Sequence, residues 1–144
     1  MEMFIGEYTL TVDEKGRLSI PVKYRASLSR GAVVTRGLDS SLFLYTGAEW
    51  KILAEKLAAL PISRANTRAF SRLMLAGAMD VEMDKQGRII LPDYLRGFAG
   101  IKKKVVVAGL YNRLEIWDET KWTSYKKQTE KGSKEIAEAL DQLI

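Results

Sequence analysis

The chain has 144 residues, 47 % of them hydrophobic, which suffices for the core of one compact unit or of two small intertwined ones. Cysteine and histidine are both absent, which removes disulfides, thiolate and imidazole catalysis and the usual zinc ligand sets. Lys and Arg outnumber Asp and Glu 23 to 18, a net charge of +5 with a pI near 9.4, a balance that permits a polyanionic partner. The excess is uneven: residues 1–72 hold eleven basic against seven acidic side chains (+4), and residues 73–144 twelve against eleven (+1). Neither a basic–apolar–small leader pattern nor an apolar run of membrane-spanning length is present, so the expected location is the cytoplasm.

Residues 6–12 alternate apolar and polar side chains, the period of a half-buried strand. Asp13-Glu14-Lys15-Gly16 then reads as a turn, because Asp13 can bond its own backbone two residues on and Gly16 takes positive φ cheaply. Arg17 leaves that turn with its guanidinium free to point outward, and a short strand covers 17–20. Pro21 stands at the first position of a helix over 22–28, which Arg30-Gly31 ends. A β-branched strand over 32–36 and a second over 42–45 flank a turn at 37–41. Thr46 and Glu49 have the spacing of a capping box for a helix over 47–60, in which Trp50, Leu53, Leu57 and Leu60 share a face before Pro61. Ser63 is expected to cap a further helix over 64–76, before Gly77.

The plan then begins again. Asp13-Glu14-Lys15-Gly16-Arg17-Leu18-Ser19-Ile20-Pro21 returns 71 positions later (84 − 13) as Asp84-Lys85-Gln86-Gly87-Arg88-Ile89-Ile90-Leu91-Pro92. A strand over 80–83 precedes it. Residues 93–96 and Gly97 follow, then strands over 103–108 and 113–117, a helix over 119–131 and a last helix capped by Ser133. One insertion makes the later offset 72, at which Val33-Val34 match Val105-Val106, Tyr45 matches Trp117 and Trp50 matches Trp122. Good hairpin turns explain the Asp and the Gly. They do not explain why Arg follows Gly twice, or why Arg25 and Arg96 each stand four residues after a proline. One copy exposes too many strand edges to stand alone, so two copies closing around a shared core are expected to form a pseudo-twofold β-barrel.

The paired Asp-x-x-x-Arg motifs, each running into a proline and an arginine, resemble the SpoVT/AbrB-type swapped-hairpin DNA-binding domain. Two of them in one short chain, each followed by helices, resemble the MraZ family of bacterial transcriptional regulators over roughly residues 3–122. The resemblance implies an α+β fold, a pseudo-twofold swapped-hairpin (AbrB-like) barrel of two tandem repeats with flanking helices. Its expected division is a first repeat at 5–50, connecting helices at 51–76, a second repeat at 77–122 and C-terminal helices at 123–144. It further implies ring-shaped homo-oligomers and binding to short repeated DNA boxes upstream of the division and cell-wall gene cluster, which includes the protein's own gene. The partners are thus double-stranded DNA and the protein itself, at the nucleoid, with no membrane, no cofactor, no metal and no identified small-molecule substrate.

Arginine presents a planar fork of donors that fits guanine O6 and N7, or a phosphate, with two bonds at once. Arg17 and Arg88 are therefore the candidate reading residues. Asp13 and Asp84, with Gly16 and Gly87, are expected to brace the turns. Lys15, Lys23, Arg25 and Arg30 are candidates for phosphate contact, and Lys85 and, through the resemblance, Arg96 are further DNA-binding candidates. Gln86 stands where the first copy has Lys15, so the first copy is expected to be the stronger reader. Arg64, Arg68 and Arg72 recur along one helical face, as further DNA contacts, a solvated face or pairs to a neighbouring subunit. Trp50 and Trp122 read as core anchors or interface aromatics, and Ile136, Ala137, Leu140 and Leu143 as an intersubunit or intrachain stripe. The competing classes are a protein-interaction module of the same fold, as in antitoxins, and an enzyme. The short helix-forming tail argues against the first, and the lack of His, Cys and clustered carboxylates against the second.

Overall fold

A computed structural model describes residues 3–143. In chain order it contains β1 (Phe4–Thr11), β2 (Arg17–Ser19), α1 (Val22–Leu28), β3 (Ala32–Arg36), β4 (Leu42–Thr46), α2 (Gly47–Ala58) and α3 (Ala65–Ser71). A π-helical turn (Arg72–Ala76) follows, then β5 (Met79–Val81), β6 (Arg88–Ile90), α4 (Asp93–Ala99), β7 (Lys104–Tyr111), β8 (Leu114–Asp118), α5 (Glu119–Lys131) and α6 (Ser133–Ala139). The fold is mixed α+β. No helix among the described residues is long and apolar enough to cross a membrane.

Every pairing between strands is antiparallel. Six strands form one sheet in the order β1-β7-β8-β4-β3-β5, and β2 pairs with β6 in a separate two-stranded ribbon. The two copies are interleaved. The first strand of each pairs with the third strand of the other, β1 with β7 and β5 with β3, while β4 and β8 meet at the middle. The expected closed barrel is not found: β1 and β5 are the edges of an open sheet, with no pairing between them among the described residues. The two outer pairings are also unequal. β1 matches β7 over eight residue pairs, whereas β5 matches β3 over three.

The main core lies between the six-stranded sheet, the ribbon and the two short helices α1 and α4. Leu18 and Ile89 of the ribbon, Tyr24 and Leu95 of the helices, and Val34, Leu44, Val105 and Leu114 of the sheet are all completely buried there. A second cluster (Phe43, Tyr45, Leu57 and Met74, flanked by Trp50 and Phe70) seats α2, α3 and the π-helical turn on the opposite side of β4. The α5 helix lies against β7 and β8, with Trp122 edge-on to Trp117 at 5.4 Å. Trp50, 5.9 Å from the Tyr45 ring, holds the matching place in the first copy. Both tryptophans pack against their own hairpins.

Local signals set most boundaries, with instructive exceptions. Thr46 caps α2 through Oγ1, which accepts from the Glu49 amide at 3.2 Å. Pro21 and Pro92 are the N-cap residues of α1 and α4, so Pro21 stands just before its helix and not at the first helical position. The Ser63 and Ser133 side chains make no cap; Arg64 and Gly132 hold those positions. Gly97 does not stop α4, which continues to Ala99 and ends where Gly100 turns left-handed at φ 63°. The expected helix over 64–76 changes to π geometry at Arg72, and the Met74 carbonyl there accepts from the buried Thr35 hydroxyl at 2.7 Å.

Candidate nucleic-acid interface

Each turn is built by one carboxylate. Asp13 Oδ1 accepts from the amides of Lys15 (3.0 Å) and Arg17 (2.9 Å), while Oδ2 accepts from Arg17 Nε at 2.5 Å. Asp84 repeats the pattern with Gln86 (2.9 Å), Arg88 (2.9 Å) and Arg88 Nε (2.9 Å). Main-chain bonds close the loops, Gly16 to Asp13 and Gly87 to Asp84, with the glycines at φ 83° and 79°. Both carboxyls are held below the ordinary Asp value of 3.8, chiefly because the arginine amide donates to them and then because the arginine side chain does. Burial, second in size to the amide bond and larger than the side-chain bond, works the other way.

This arrangement spends only Nε of each arginine. Among the described residues, neither Nη group of Arg17 or Arg88 donates to a protein acceptor, and the side chains remain 33 % and 28 % exposed. The guanidiniums are aimed, not locked inside. Since Leu18 and Ile89 point into the core, the ribbon's alternation turns Arg17, Ser19, Arg88 and Ile90 outward. Register sets Arg17 opposite Ile90 and Ser19 opposite Arg88. Both arginines therefore share one face of a two-stranded ribbon, about 7 Å apart along the strand direction.

The remaining candidates separate. Lys15, Lys23, Arg30 and Lys85 are exposed, and Lys23 Nζ also lies 5.6 Å from the Tyr24 ring centre. Arg25 and Arg96 are half-buried, and each directs Nε to the carbonyl five residues before it, Ile20 and Leu91, at 2.9 Å. Arg96 additionally pairs with Asp93. Each of these two guanidiniums lies against the glycine of the other copy's turn, Arg25 at Gly87 and Arg96 at Gly16. Arg64, Arg68 and Arg72 are exposed on α3 and the π-helical turn, on the far side of β4 from the ribbon core.

Two outward ribbon residues, Ser19 and Ile90, were not visible as site residues in the sequence; Ile90, 57 % exposed, looked like one more strand hydrophobe. Lys102 and Lys103 were likewise missed. The Val12 amide donates to the Lys103 carbonyl at 2.8 Å, which brings this exposed lysine pair from the second copy beside the first turn. Only the β1–β7 pairing reveals that neighbourhood. Among the described residues no cluster of three or more acidic side chains is gathered to hold a metal ion.

A family model described as "MraZ protein, putative antitoxin-like" matches the chain twice, over residues 3–73 and 74–144. The chain belongs to the MraZ family. It is 47 % identical over 138 residues to the transcriptional regulator MraZ of Natranaerobius thermophilus, covering 96 % of both chains. It is 48 % identical over 139 residues to the transcriptional regulator MraZ of Caldanaerobacter subterraneus subsp. tengcongensis, covering 96 % of this chain and 97 % of that one. The same identity as the first, 47 % over 138 residues, relates it to the transcriptional regulator MraZ of Heliobacterium modesticaldum, with 96 % of both chains covered. The two MraZ matches meet between Leu73 and Met74, inside the π-helical turn, so each repeat carries one turn, one outward arginine and one arginine that reaches across.

Proposed function

We propose that the protein is a sequence-specific DNA-binding transcriptional regulator that offers the β2–β6 ribbon to the major groove. The observation that carries this reading is the state of Arg17 and Arg88: each is fixed through Nε, outward-facing, with both Nη groups unengaged by protein acceptors among the described residues. A two-stranded ribbon fits the major groove, and an oriented guanidinium fork is the side chain best suited to guanine. Lys15, Lys23, Lys85, Lys102 and Lys103 supply phosphate contacts around it. Their number is larger at the first turn, which supports Arg17 as the dominant reader. Ile90, beside Arg17, offers an apolar contact of the kind that a thymine methyl accepts.

Membership of the family extends the proposal. The targets are repeated boxes upstream of the division and cell-wall gene cluster, its own gene included, and the working form is a ring of identical subunits at the nucleoid. The interleaved strand pairing supports a swapped-hairpin relation between repeats at 5–50 and 77–122, joined by the helices of 51–76 and followed by those of 123–144. The role is binding, not catalysis. The test is a mobility shift of the DNA upstream of the gene at two salt concentrations: retardation that weakens steeply with salt is expected, and no retardation at low salt defeats the reading.

The words "antitoxin-like" in the family description favour one second reading, a protein-interaction module. Its tail would have to embrace a partner. Here the tail forms α5 and α6, not an extended acidic segment, which supports the DNA reading instead.

A further inference from the structure

We propose that Arg96 is the positioning residue of the first reading turn and Arg25 that of the second, so that each DNA-reading turn is held in place by an arginine of the other repeat. The proposal rests on the DNA reading above and revises the DNA-contact role that the sequence suggests for these two residues.

The connection forms a closed circuit. The Leu91 amide donates to the Gly16 carbonyl at 2.8 Å, and the Leu91 carbonyl accepts from Arg96 Nε at 2.9 Å. The Arg96 guanidinium then packs directly on Gly16: a Cβ there would lie 2.9 Å from both Nε and Cζ of Arg96, and 2.8 Å from the Leu91 carbonyl oxygen. The other circuit is its counterpart. The Ile20 amide donates to the Gly87 carbonyl at 2.8 Å, Arg25 Nε donates to the Ile20 carbonyl at 2.9 Å, and a Cβ on Gly87 would lie 2.3 Å from Arg25 Nε.

This gives one physical cause for two features of the repeat. Glycine is required in each turn for positive φ, and also because any side chain would expel the arginine of the other copy. The arginine four residues after each proline is required because it fills the space that glycine leaves. A phosphate-contacting residue would carry neither constraint. The two braces differ in one respect. Arg96 is also paired with Asp93, whereas the matching position before Arg25 is Val22.

The experiment combines charge-preserving and charge-removing variants with two readouts. In the free protein, amide exchange in Arg96→Lys and Arg96→Ala is expected to quicken at Gly16 and Leu91 and to stay unchanged at Gly87 and Ile20. Equal change in both turns, or none, overturns the brace. In DNA binding, Arg96→Ala is expected to cost about tenfold in affinity with the salt slope unchanged, and Arg96→Lys to restore little of it. A lysine that restores affinity, or a slope lower by about one, identifies a phosphate contact and overturns the proposal. Combined with Arg17→Ala, the Arg96→Ala loss should largely vanish, and combined with Arg88→Ala it should add in full. Additivity with Arg17→Ala also overturns it. If the wild-type chain binds no upstream DNA, the DNA reading fails, and the exchange measurement alone still decides the brace.

Discussion

Asp13 and Asp84 each perform two tasks with one carboxylate, folding the turn through Oδ1 and aiming an arginine through Oδ2. Because both carboxyls have folded-state values below 3.8, their contribution to stability is fully present above the unfolded value and is lost as pH falls through the folded one. The chain has no histidine, so nothing in either turn changes charge near neutrality. DNA affinity, followed by anisotropy, is therefore expected to stay flat between about pH 5 and 8 and to fall only on stronger acidification. A second expectation concerns Ile90. Ile90→Ala should relax base preference at one step of the site without altering the salt slope, as read by binding to single-base variants of the target. The turn residues were legible in the sequence because Asp, Gly and Arg at fixed spacing have few alternative uses. Ile90 was not, since an apolar residue in a strand reads as core until its neighbours on the ribbon are known to face inward.

Among the elements, those with dense local signals were legible nearly to the residue. The runs 22–28, 32–36 and 119–131 coincide with α1, β3 and α5, as helix periodicity and β-branched composition dictate. The π-helical turn escaped detection because it closes the helical segment at Gly77, so no later turns remain whose hydrophobic period the extra residue could displace. Its geometry is held by a long-range partner instead: the Thr35 hydroxyl on β3, itself fully buried, which donates to the Met74 carbonyl. Thr35→Val preserves shape and removes that donor. It is expected to destabilise the fold by about 1–3 kcal/mol in denaturant unfolding, with no direct effect on the distant ribbon. The stripe expected on the last helix has a similar lesson. Ile136 and Leu140 are both exposed, and α6 ends at Ala139, because a short helix with a narrow apolar face finds too little to bury against α5.

At the scale of the molecule, the duplication announced interleaving, because each copy has edges that only the other can satisfy. It did not announce that the sheet would stay open. That outcome follows from β5, which joins β3 over three residues after the π-helical turn and Gly77, while its counterpart β1 runs eight residues along β7. Interleaving also has a functional side, since the first turn is surrounded by Arg96, Lys102 and Lys103 of the second repeat. One subunit still offers few candidate base-reading side chains, so repetition across the proposed ring is expected to supply much of the selectivity. Affinity for DNA carrying several boxes should exceed that for one box by at least about a hundredfold, and equal affinities would refute this. The most direct test of the whole account is a comparison of Arg17→Ala, Arg88→Ala and the unaltered chain on the upstream DNA, with thermal unfolding and size measured alongside. Loss of specific binding by Arg17→Ala with fold and assembly intact, and a smaller loss by Arg88→Ala, is the predicted result. Normal binding by Arg17→Ala would mean that the turn is scaffold and that DNA, if bound, is read elsewhere.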